Sequence, residues 1–494
     1  MNKTGFITTY ILIFGTVFLI MFSGLLGLIL SQMKIEKKDI AYENALHIAE
    51  AGLNRYLWYI TKKSQEIRDG VEIGCPPSEC QDCEPCEYEY IFPGLGVVGK
   101  YKLEIEEKRC CGVTSLIVAT STGWTTDFSN TKRKIKIKYV RPSVANYSYI
   151  LNNPVWAGSD REIQGPYHSN GGIRMDGINN SLVSSPLEEW TCTQSFGCSS
   201  CPSNCWTEGY NCVCNGVFTT ANGNENLFRY GPEKVSPFDF GAITMDLANI
   251  KEKTKNDGKG KYIGPSGEKG YHVILKENGI EVRKITGLNK VGGVYGIHNY
   301  ETVYIGNEYS LIKNEDSGIF YPYSDFGDCR LIYIEDDVWI QGVVKGKITL
   351  ISADLDISTP KTETNVWLKN DITYTTKDGS DALLLTAQNN NLITPDSPSD
   401  MTLDGVYIAQ YGNFGRNYYS PYSYPAYAKK NQLQIYGSIV SNGRVGTSWS
   451  SGGVWVSGYS DRKNIFNPDM TINPPPFLPT ISSDFDLMEW EEIK

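Results

Sequence analysis

The sequence predicts a mainly β protein that begins with one long α-helix. Three observations lead to this fold class: an uncharged apolar segment from Phe6 to Met33, a composition with 48 Gly, 32 Tyr and 23 Pro, and short apolar runs separated by Gly, Asn and Asp over much of the later chain. Tyrosine favours strands, and glycine and proline favour turns. With 494 residues, the chain is long enough for about two to four domains, unless an elongated repeat stack accounts for its length.

The N-terminal apolar segment is long enough to cross a membrane. At about 1.5 Å per residue it spans about 42 Å, more than the roughly 30 Å of a bilayer's hydrocarbon core. A signal peptide has a shorter apolar region of about 7 to 15 residues, and no cleavage site of the A-x-A type follows this one. Lysines flank both ends, so the positive-inside rule does not set the orientation.

The helix is predicted to continue beyond the membrane to about residue 68. Apolar residues recur there at steps of three and four, at Ala41, Ala45, Ile48, Ala49, Leu53, Tyr56, Leu57 and Ile60. Polar residues occupy the opposite face, which is typical of an amphipathic helix. The apolar stripe needs a partner, either a sheet of the same chain or like helices in a filament, and the two are compatible.

The 13 cysteines indicate an oxidising compartment. Apart from Cys329 they are clustered, and the candidates for disulfides are Cys75, Cys80, Cys83, Cys86, Cys110, Cys111, Cys192, Cys198, Cys201, Cys205, Cys212 and Cys214. CxxC spacings among them also suit zinc or iron–sulfur clusters. Disulfides are favoured because both main clusters lie in loops that would gain from cross-links. An odd count leaves at least one thiol outside an intrachain pair, and the connectivity stays open.

Two motifs lie near the N-terminus, Lys3-Thr4-Gly5-Phe6 and the segment from Ala45 to Arg55. They resemble motifs of the type IV pilin-like family, and of PilX-type minor pilins in particular. The residues Lys3-Thr4-Gly5-Phe6 before the apolar helix are similar to a short prepilin leader. The segment from Ala45 to Arg55, with its AEAG sequence, is similar to the helix that marks PilX-type proteins. The resemblance implies that a prepilin peptidase cuts between Gly5 and Phe6. The glutamate that major pilins carry five residues into the mature chain is replaced here by Tyr10.

Residues 98 to 141 are predicted to form a small antiparallel sheet. Apolar residues alternate with charged ones in this stretch, including a basic segment around Ile135 and Ile137 that is interpreted as a strand with one solvated face. A helix followed by such a sheet resembles the pilin head. Because the formal net charge is -10, no nucleic-acid partner is expected.

Two later stretches look like coils of a β-solenoid, of the kind attached to PilX-like N-termini. They cover residues 163–173 and a longer series of short strands between Ile332 and Val440. Short strands separated by turn residues suit a stack in which each rung buries its apolar face on the next. Their spacing is irregular, so no fixed period can be counted.

Four parts are therefore predicted along the chain. Residues 1–68 hold the leader and the helix, and residues 69–142 a Cys-rich loop and the antiparallel sheet. Residues 143–290 hold a first solenoid-like stretch with a Cys-rich insertion and a polar linker. Residues 291–494 form a solenoid-like body with a Tyr-rich loop at 411–427 and a Pro-rich C-terminal cap. The Tyr-rich loop either packs on the solenoid wall or contacts surface carbohydrate or protein.

No enzyme, cofactor or metal site is predicted. The four histidines are scattered, and neither HExxH, GxSxG nor a P-loop occurs. The acidic groups Glu335-Asp336-Asp337 and Asp354/Asp356 are interpreted as turn residues, although paired carboxylates on a solenoid could serve glycoside cleavage.

The predicted function is that of a minor-pilin-like structural component of a type IV pilus or related filament, acting in assembly, at the tip or in surface adhesion. Such a protein is anchored in the inner membrane with its body outside the cytoplasm, and reaches the cell surface or pilus after assembly. Its expected partners are the membrane, other pilins or pilus assembly proteins, and a prepilin peptidase. Two alternatives remain open: a membrane-tethered β-helix carbohydrate-active enzyme, and a cell-envelope scaffold unrelated to pili.

Overall fold

The computed structural model describes residues 4–68, 71–77, 84, 86–110, 113–243, 246–255, 260–298, 301–326, 329–356, 363–482 and 484–493. Within them the protein is mainly β with one long N-terminal helix, as the sequence predicts. The chain divides into two compact units. The first comprises Met1–Lys108, Leu116–Tyr139 and Phe485–Lys494, and the second comprises Arg109–Ser115 and Val140–Asp484.

One helix dominates the helical content. The helices are α1 (Thr4–Lys62), α2 (Ser64–Arg68), α3 (Phe240–Ile243), α4 (Leu247–Lys255), α5 (Pro425–Ala428) and α6 (Asp469–Ile472), with 3₁₀ turns at Val144–Asn146, Gln194–Phe196, Glu225–Leu227 and Tyr323–Phe326. The 59 residues of α1 span about 88 Å at about 1.5 Å per residue. The predicted rod to residue 68 is interrupted at Lys63, whose N–H is shared between the carbonyls of Tyr59 and Ile60 at the end of α1.

The strands vary in length from two residues at Ile178–Asn179 to 20 residues at Gly279–His298, both in the second unit. They are β1 (Glu87–Phe92), β2 (Gly96–Cys110), β3 (Val113–Thr125), β4 (Lys132–Val140), β5 (Tyr149–Leu151), β6 (Val155–Ala157), β7 (Arg161–Ile163), β8 (Tyr167–Ser169), β9 (Ile173–Met175), β10 (Ile178–Asn179), β11 (Val183–Ser185), β12 (Glu189–Thr191), β13 (Trp206–Glu208), β14 (Asn211–Asn215), β15 (Val217–Phe218), β16 (Phe228–Tyr230), β17 (Lys261–Ile263), β18 (Tyr271–Lys276), β19 (Gly279–His298), β20 (Glu301–Glu315), β21 (Ile319–Pro322), β22 (Leu331–Ile334), β23 (Val338–Val344), β24 (Lys347–Ser352), β25 (Val366–Tyr374), β26 (Ala382–Ala387), β27 (Asn391–Ile393), β28 (Asp400–Ala409), β29 (Phe414–Gly415), β30 (Lys429–Ser441), β31 (Ser448–Ser451), β32 (Val454–Ile465) and β33 (Asp486–Ile493).

The first unit is a helix packed on a five-stranded sheet of order β1-β2-β3-β4-β33. Strands β1 and β2 are antiparallel, as are β3 and β4. On α1, Ile48, Leu53 and Tyr56 are buried in one cluster with Ile117 and Tyr139 of the sheet. The predicted antiparallel sheet at residues 98–141 thus corresponds to β2, β3 and β4.

The C-terminal strand differs from the sequence prediction. The tail was expected to cap the second unit, but β33 joins the sheet of the first unit beside β4. The physical reason is charge complementarity with the basic face of β4. Ion pairs join Arg133 to Glu492 (2.6 Å), Lys138 to Glu489 (2.5 Å) and Lys136 to Glu491 (3.7 Å). The basic segment that looked like a solvated face therefore binds an acidic strand of the same chain.

The second unit is a stack of parallel strands. One ladder runs through β17, β22, β24, β26, β28, β30, β5, β8, β11 and β16. A second runs through β18, β23, β25, β27 and β29. A third runs through β28, β30, β32, β7 and β10. Consecutive members of each ladder are hydrogen-bonded, so the strands form successive rungs.

The order of the rungs is not the order of the chain. The chain enters the stack in its middle at β5 and runs outward to β16. The segment between β16 and β17 then connects to the opposite end, and the chain returns rung by rung to β30 and β32. The two stretches predicted from sequence therefore form one stack, joined where Ile439 pairs with Tyr149.

The core of the stack is a column of aligned side chains. Its members share one register position and are each 8% exposed or less: Ile332, Leu350, Leu385, Tyr407, Ile439, Tyr149, Tyr167, Val183 and Phe228. Neighbouring strands lie about 4.8 Å apart, so each side chain packs directly on the next. Stacking depends on this alignment and not on equal loop lengths, which explains the irregular spacing in the sequence.

The predicted polar linker at residues 234–290 is only partly a linker. It contains α4, and it also supplies β17, β18 and the start of β19 to the stack. In β18 the side chains of Tyr271, Val273 and Leu275 alternate inward and are at most 6% exposed. The surrounding lysines and glycines obscured this alternation in the sequence.

Two antiparallel elements leave the parallel stack. Strands β19 and β20 form a long hairpin. Strands β12, β13 and β14 form a three-stranded sheet that carries the second cysteine cluster.

Candidate functional site

The N-terminal half of α1 is an apolar surface without protein around it. Within the described chain, α1 is the one helix long and apolar enough to cross a membrane. Large apolar side chains on all its faces are exposed from Ile7 to Met33, by between 43% and 72% of their area. Burying apolar area yields about 25 cal/mol per Å². This half of the helix therefore requires an apolar environment such as lipid or other helices.

The C-terminal half of α1 has its apolar stripe covered by the sheet of the first unit. Of the predicted stripe, Leu57 is half-buried and the rest are at most 5% exposed, namely Ala41, Ala45, Ile48, Ala49, Leu53, Tyr56 and Ile60. The outward face carries Tyr42 and Trp58, which are 45% and 59% exposed. Of the two partners expected for this stripe, the chain's own sheet is the one that occupies it.

Glycines permit a close approach of α1 to the sheet. A Cβ atom added at Gly52, the glycine of the AEAG sequence, would lie 2.5 Å from Cδ2 of Tyr101. One added at Gly123 of β3 would lie 2.4 Å from the carbonyl oxygen of Ala45. Both distances are too short for real Cβ contacts, so residues with side chains would push helix and sheet apart. Close packing of the helix on the sheet therefore explains why this chain has a glycine in the AEAG sequence.

The predicted processing site lies at the start of α1. Gly5 and Phe6 belong to its first turn, because the helix begins at Thr4. Tyr10, at the position of the pilin glutamate, is 53% exposed on the apolar half. Cleavage between Gly5 and Phe6 stays a prediction.

Eight of the candidate cysteines form disulfides in the described part of the chain: Cys75–Cys86, Cys192–Cys198, Cys201–Cys212 and Cys205–Cys214. Cys329, which lies apart from the clusters in sequence, is also disulfide-bonded. Cys80, Cys83 and Cys111 lie outside the described residues, and Cys110 ends β2. Pairing of these four stays a prediction.

The alternative metal sites fall on cysteines that are already cross-linked. The sulfur atoms of Cys192, Cys198 and Cys214 lie within 4.8 Å of one another, as do those of Cys205, Cys212 and Cys214. All five are in disulfides. A metal requires thiolates, so these groups can bind one only after reduction.

The second cysteine cluster forms a small disulfide-linked core. Trp190, Phe196 and Phe218 pack with the buried cysteines there, and the rings of Trp190 and Phe196 meet edge to face at 5.2 Å. Arg444, from the loop after β30, donates from Nη2 to the Ser195 carbonyl at 2.9 Å. We call the segment Glu189–Asn215 the disulfide knob.

The Tyr-rich loop is partly packed and partly exposed. Tyr419 is buried and donates from its hydroxyl to Glu308 at 2.8 Å. The Tyr424 hydroxyl accepts from the Gly292 N–H at 2.9 Å. Tyr411 and Tyr422 are 52% and 96% exposed. The loop therefore packs on the β19–β20 hairpin and leaves only some rings free.

A buried polar network holds this loop in place. Glu308 of β20 is 5% exposed and also accepts from Asn417 Nδ2 at 2.6 Å. Burial raises the pKa of the Glu308 carboxyl. Arg416 is 1% exposed, lies 4.7 Å from the Tyr419 ring centroid and donates to the Pro395 carbonyl at 3.1 Å. These contacts make the loop a fixed platform.

Next to the loop lies a cluster of aromatic rings that we call the tyrosine surface: Tyr295, Tyr304, Tyr418 and Trp449. Tyr295 lies 5.0 Å from Tyr304 and 5.9 Å from Tyr418, and Tyr418 lies 6.0 Å from Trp449. Tyr304 is 65% exposed and Tyr295 41%. Such rings offer apolar faces with polar edges to carbohydrate or protein.

The acidic group Glu335-Asp336-Asp337, one of the two considered for catalysis, has structural partners. Glu335 accepts from the Lys251 ammonium and the Tyr262 hydroxyl. Asp336 accepts from the Ser266 N–H at 2.9 Å, and Asp337 from the Asn365 N–H at 2.7 Å. These carboxylates bind neighbouring loops to the stack, which is a supporting role.

The one Ser–His contact found in the described chain lies inside the stack. His168 Nδ1 is 3.0 Å from Ser184 Oγ, and its Nε2 is 3.1 Å from Asn170 Oδ1. The His168 and Ser184 side chains are 2% and 4% exposed. Burial lowers the pKa of His168 to about 4. A substrate could not reach this pair, so it serves packing.

The apolar turn between β1 and β2 is a surface that was not predicted from the sequence. Ile91, Phe92, Leu95 and Val97 are exposed there, between 40% and 73%. The signal for it is the Pro93-Gly94 turn placed inside an apolar run, since turns are normally polar.

No protein-family model matches the chain, and no curated protein sequence matches it. Among solved structures it is similar to the competence-associated pilin ComZ from Thermus thermophilus, with 11% identity, a TM-score of 0.29, and coverage of 92% of this chain and 97% of that chain. A TM-score this low does not define a shared fold.

Proposed function

We propose that the chain is a pilin-like structural component of a type IV pilus or related filament. The observation that carries the proposal is the division of α1. Its first half is apolar and exposed, and its second half is packed on an antiparallel sheet of the same unit. Such a helix can sit in a membrane and later pack among like helices without disturbing the body it carries.

The body lies outside the cytoplasm in this proposal. The disulfides of the knob and of Cys75–Cys86 support this location, because cytosolic thiols are kept reduced. The ladders of the second unit support its interpretation as a β-solenoid, since each rung is paired in parallel with the next. A rigid stack of this kind suits a component that extends from a filament.

Within the family, the role we propose is that of a PilX-type minor pilin acting in assembly, at the tip or in adhesion. The AEAG sequence supports this role through the close contact of Gly52 with Tyr101. The tyrosine surface supports adhesion, because Tyr295 and Tyr304 are exposed on the β19–β20 hairpin, which the Glu308 network joins to the Tyr-rich loop.

Leader processing is the most direct test. The full-length chain is co-expressed with a prepilin peptidase, and the N-terminus is read by mass spectrometry. The natural chain and a Gly15→Leu control should begin at Phe6, while Gly5→Leu should keep its leader. Gly15 is a fair control because nothing lies within 4 Å of a Cβ added there. A natural chain left uncut by an active peptidase would refute the processing claim.

Filament contact is tested by photo-crosslinking in cells. A photoreactive residue replaces Phe14 or Phe18, which are 72% and 67% exposed, and a matched one replaces Trp58 on the outward face of the packed half. Crosslinks to pilin-like helices should form from positions 14 and 18. Equal yields at all three positions, or crosslinks to lipid alone under piliating conditions, would contradict filament entry.

Adhesion is tested with the tyrosine surface. Tyr304→Ser should reduce attachment of piliated cells, whereas Tyr210→Ser should not, although Tyr210 of the disulfide knob is fully exposed. If both variants attach like the natural protein, the tyrosine surface has no adhesive role.

A further inference from the structure

The turn between β1 and β2 exposes an unusual amount of apolar surface. We call residues 91–97 the hairpin tip. Ile91, Phe92, Leu95 and Val97 are 64%, 48%, 73% and 40% exposed. Gly94 and Gly96 have φ of +87° and +75°, so the backbone turns sharply and presents these side chains together. An exposed apolar cluster on a turn indicates a contact with something apolar.

The hairpin tip points toward the N-terminal, apolar half of α1. Gly99 of β2 packs on Ile48, since a Cβ added at Gly99 would lie 2.5 Å from Ile48 Cδ1. Two residues further along the strand, Tyr101 packs on Gly52 in the same way. Residue numbers therefore increase in the same direction along β2 and α1. The residues before Gly99 lie nearer to the N-terminal half of the helix.

This direction places the hairpin tip near the C-terminal end of the apolar half of α1. From Gly99 to Leu95 the strand covers about 13 Å at about 3.3 Å per residue. The same distance along α1 leads from Ile48 to about Ile40, at about 1.5 Å per residue. The first charged residues above the apolar half are Lys34, Glu36, Lys37 and Lys38. Leu95 therefore lies about 10 Å above Met33 at about 1.5 Å per residue, whereas headgroup layers are about 5 to 7 Å thick on each side of a bilayer. Membrane helices are tilted by about 20° on average, and such a tilt of α1 lowers the tip toward the headgroup layer.

We propose that the hairpin tip inserts Phe92 and Leu95 into the headgroup layer of the membrane that holds α1. The inference rests on the proposed membrane anchoring and adds a second lipid contact to it. A lipid surface is the occupant because the tip is directed toward the apolar half of α1, whose last uncharged residue, Met33, lies about 10 Å below it along the helix. The contact sets the tilt of the first unit on the bilayer, and entry into a filament has to break it.

Depth-dependent quenching tests the contact in the full-length protein. A fluorescent non-natural amino acid is placed at position 95, 106 or 22, and each protein is reconstituted in phosphatidylcholine–phosphatidylglycerol vesicles with nitroxide lipids. Position 106 is the matched control, because Glu106 is exposed on the same strand β2 about 36 Å further along at about 3.3 Å per residue. Position 22 lies in the apolar half of α1.

Headgroup nitroxides should quench position 95 at least about threefold more than position 106, and acyl-chain nitroxides should quench position 22. Quenching at 22 with none above control at 95 would overturn the tip contact and leave the anchor intact. No quenching at 22 would overturn the membrane anchor itself. A Phe92→Ser variant should lower quenching at 95, and an unchanged value would also contradict the proposal.

Discussion

Arg161 and Arg462 are register partners on adjacent parallel strands, and both are buried. They lie where β32 meets β7, which is the junction between the returning chain and the first rungs. Arg462 contacts the Asp160 carboxylate, and Arg161 donates from Nη2 to the Tyr149 hydroxyl at 2.8 Å. Burial, with Arg161 adding to it, lowers the pKa of Arg462 to about 10. The junction of the stack thus holds two like charges beside one carboxylate.

Asp160→Asn should destabilise this junction. Removing one partner of a buried ion pair leaves an uncompensated charge, and because Asp160 is about a third exposed we expect a cost of about 2 kcal/mol. Glu162→Gln is the control, since Glu162 pairs at 3.0 Å with Lys463 on the outer face of the same strands. Its cost should stay under about 1 kcal/mol. Hydrogen exchange of β7 and β32 measures both, and equal losses would contradict the prediction.

Gly123→Ala should loosen the helix from the sheet in the first unit. The new Cβ would meet the carbonyl oxygen of Ala45 and, at 2.5 Å, the Ala49 nitrogen, which are helix backbone atoms that cannot rotate away. Overpacking of this kind costs about 1 to 3 kcal/mol. Gly264→Ala is the control, because the nearest atom to its added Cβ is 3.5 Å away. Hydrogen exchange of α1 residues 41–60 gives the readout, and protection equal to the control would show that the contact relaxes.

We expect the disulfide knob to unfold locally while the stack stays folded. The Cys201→Ser/Cys212→Ser double variant removes one of its three cross-links, worth about 2 to 3 kcal/mol for a short loop. We expect β13 and β14 to lose hydrogen-exchange protection, because they pair only within the three-stranded knob sheet among the described strands. Strands β24 and β26 serve as the internal control. Loss of protection there as well would mean that the knob is required for the stack.

Local patterns predicted the elements of the first unit well. The uncharged run to Met33, the stripe through Tyr56 and the alternation around Leu103 each depend on neighbouring residues only. The pairing of β33 with β4 could not be read in this way, because Arg133 and Glu492 are separated by most of the chain. The acidic tail and the basic strand are complementary in sequence, but many other pairings would satisfy the same charges.

The order of the rungs was not predictable for a related reason. Several rungs present similar short runs of buried side chains, such as those of β22 and β26, so the sequence offers Ile439 more than one position on which to stack. Its pairing with Tyr149 joins two strands that are separated by more than half of the chain, so neighbouring residues do not indicate it. In the same way, the aromatic content of the loop at 411–427 predicted a packed or binding surface, but its partner Glu308 lies on a distant hairpin.

The second unit should lose stability as the pH falls, through His168. The neutral ring is held by Ser184, whose hydroxyl donates to Nδ1, and by Asn170, whose Oδ1 accepts from Nε2. Burial lowers the pKa of His168 to about 4 in the folded protein, against about 6.5 in an unfolded chain. Between these values the unfolded chain binds a proton that the folded chain does not.

The free energy of unfolding should therefore fall from about pH 6.5 to about pH 4, by up to about 3 kcal/mol, and this contribution should be constant above pH 6.5. His168→Gln removes the titrating ring, so its deficit relative to the natural protein should shrink as the pH falls from 7 to 4.5. His47→Gln, on an exposed helix face, is the control and should leave the slope unchanged. Urea midpoints by pulse proteolysis give the measurement. A His168→Gln slope equal to that of the natural protein would show that other groups govern its acid sensitivity, of which His272 is the first candidate because burial also lowers its pKa.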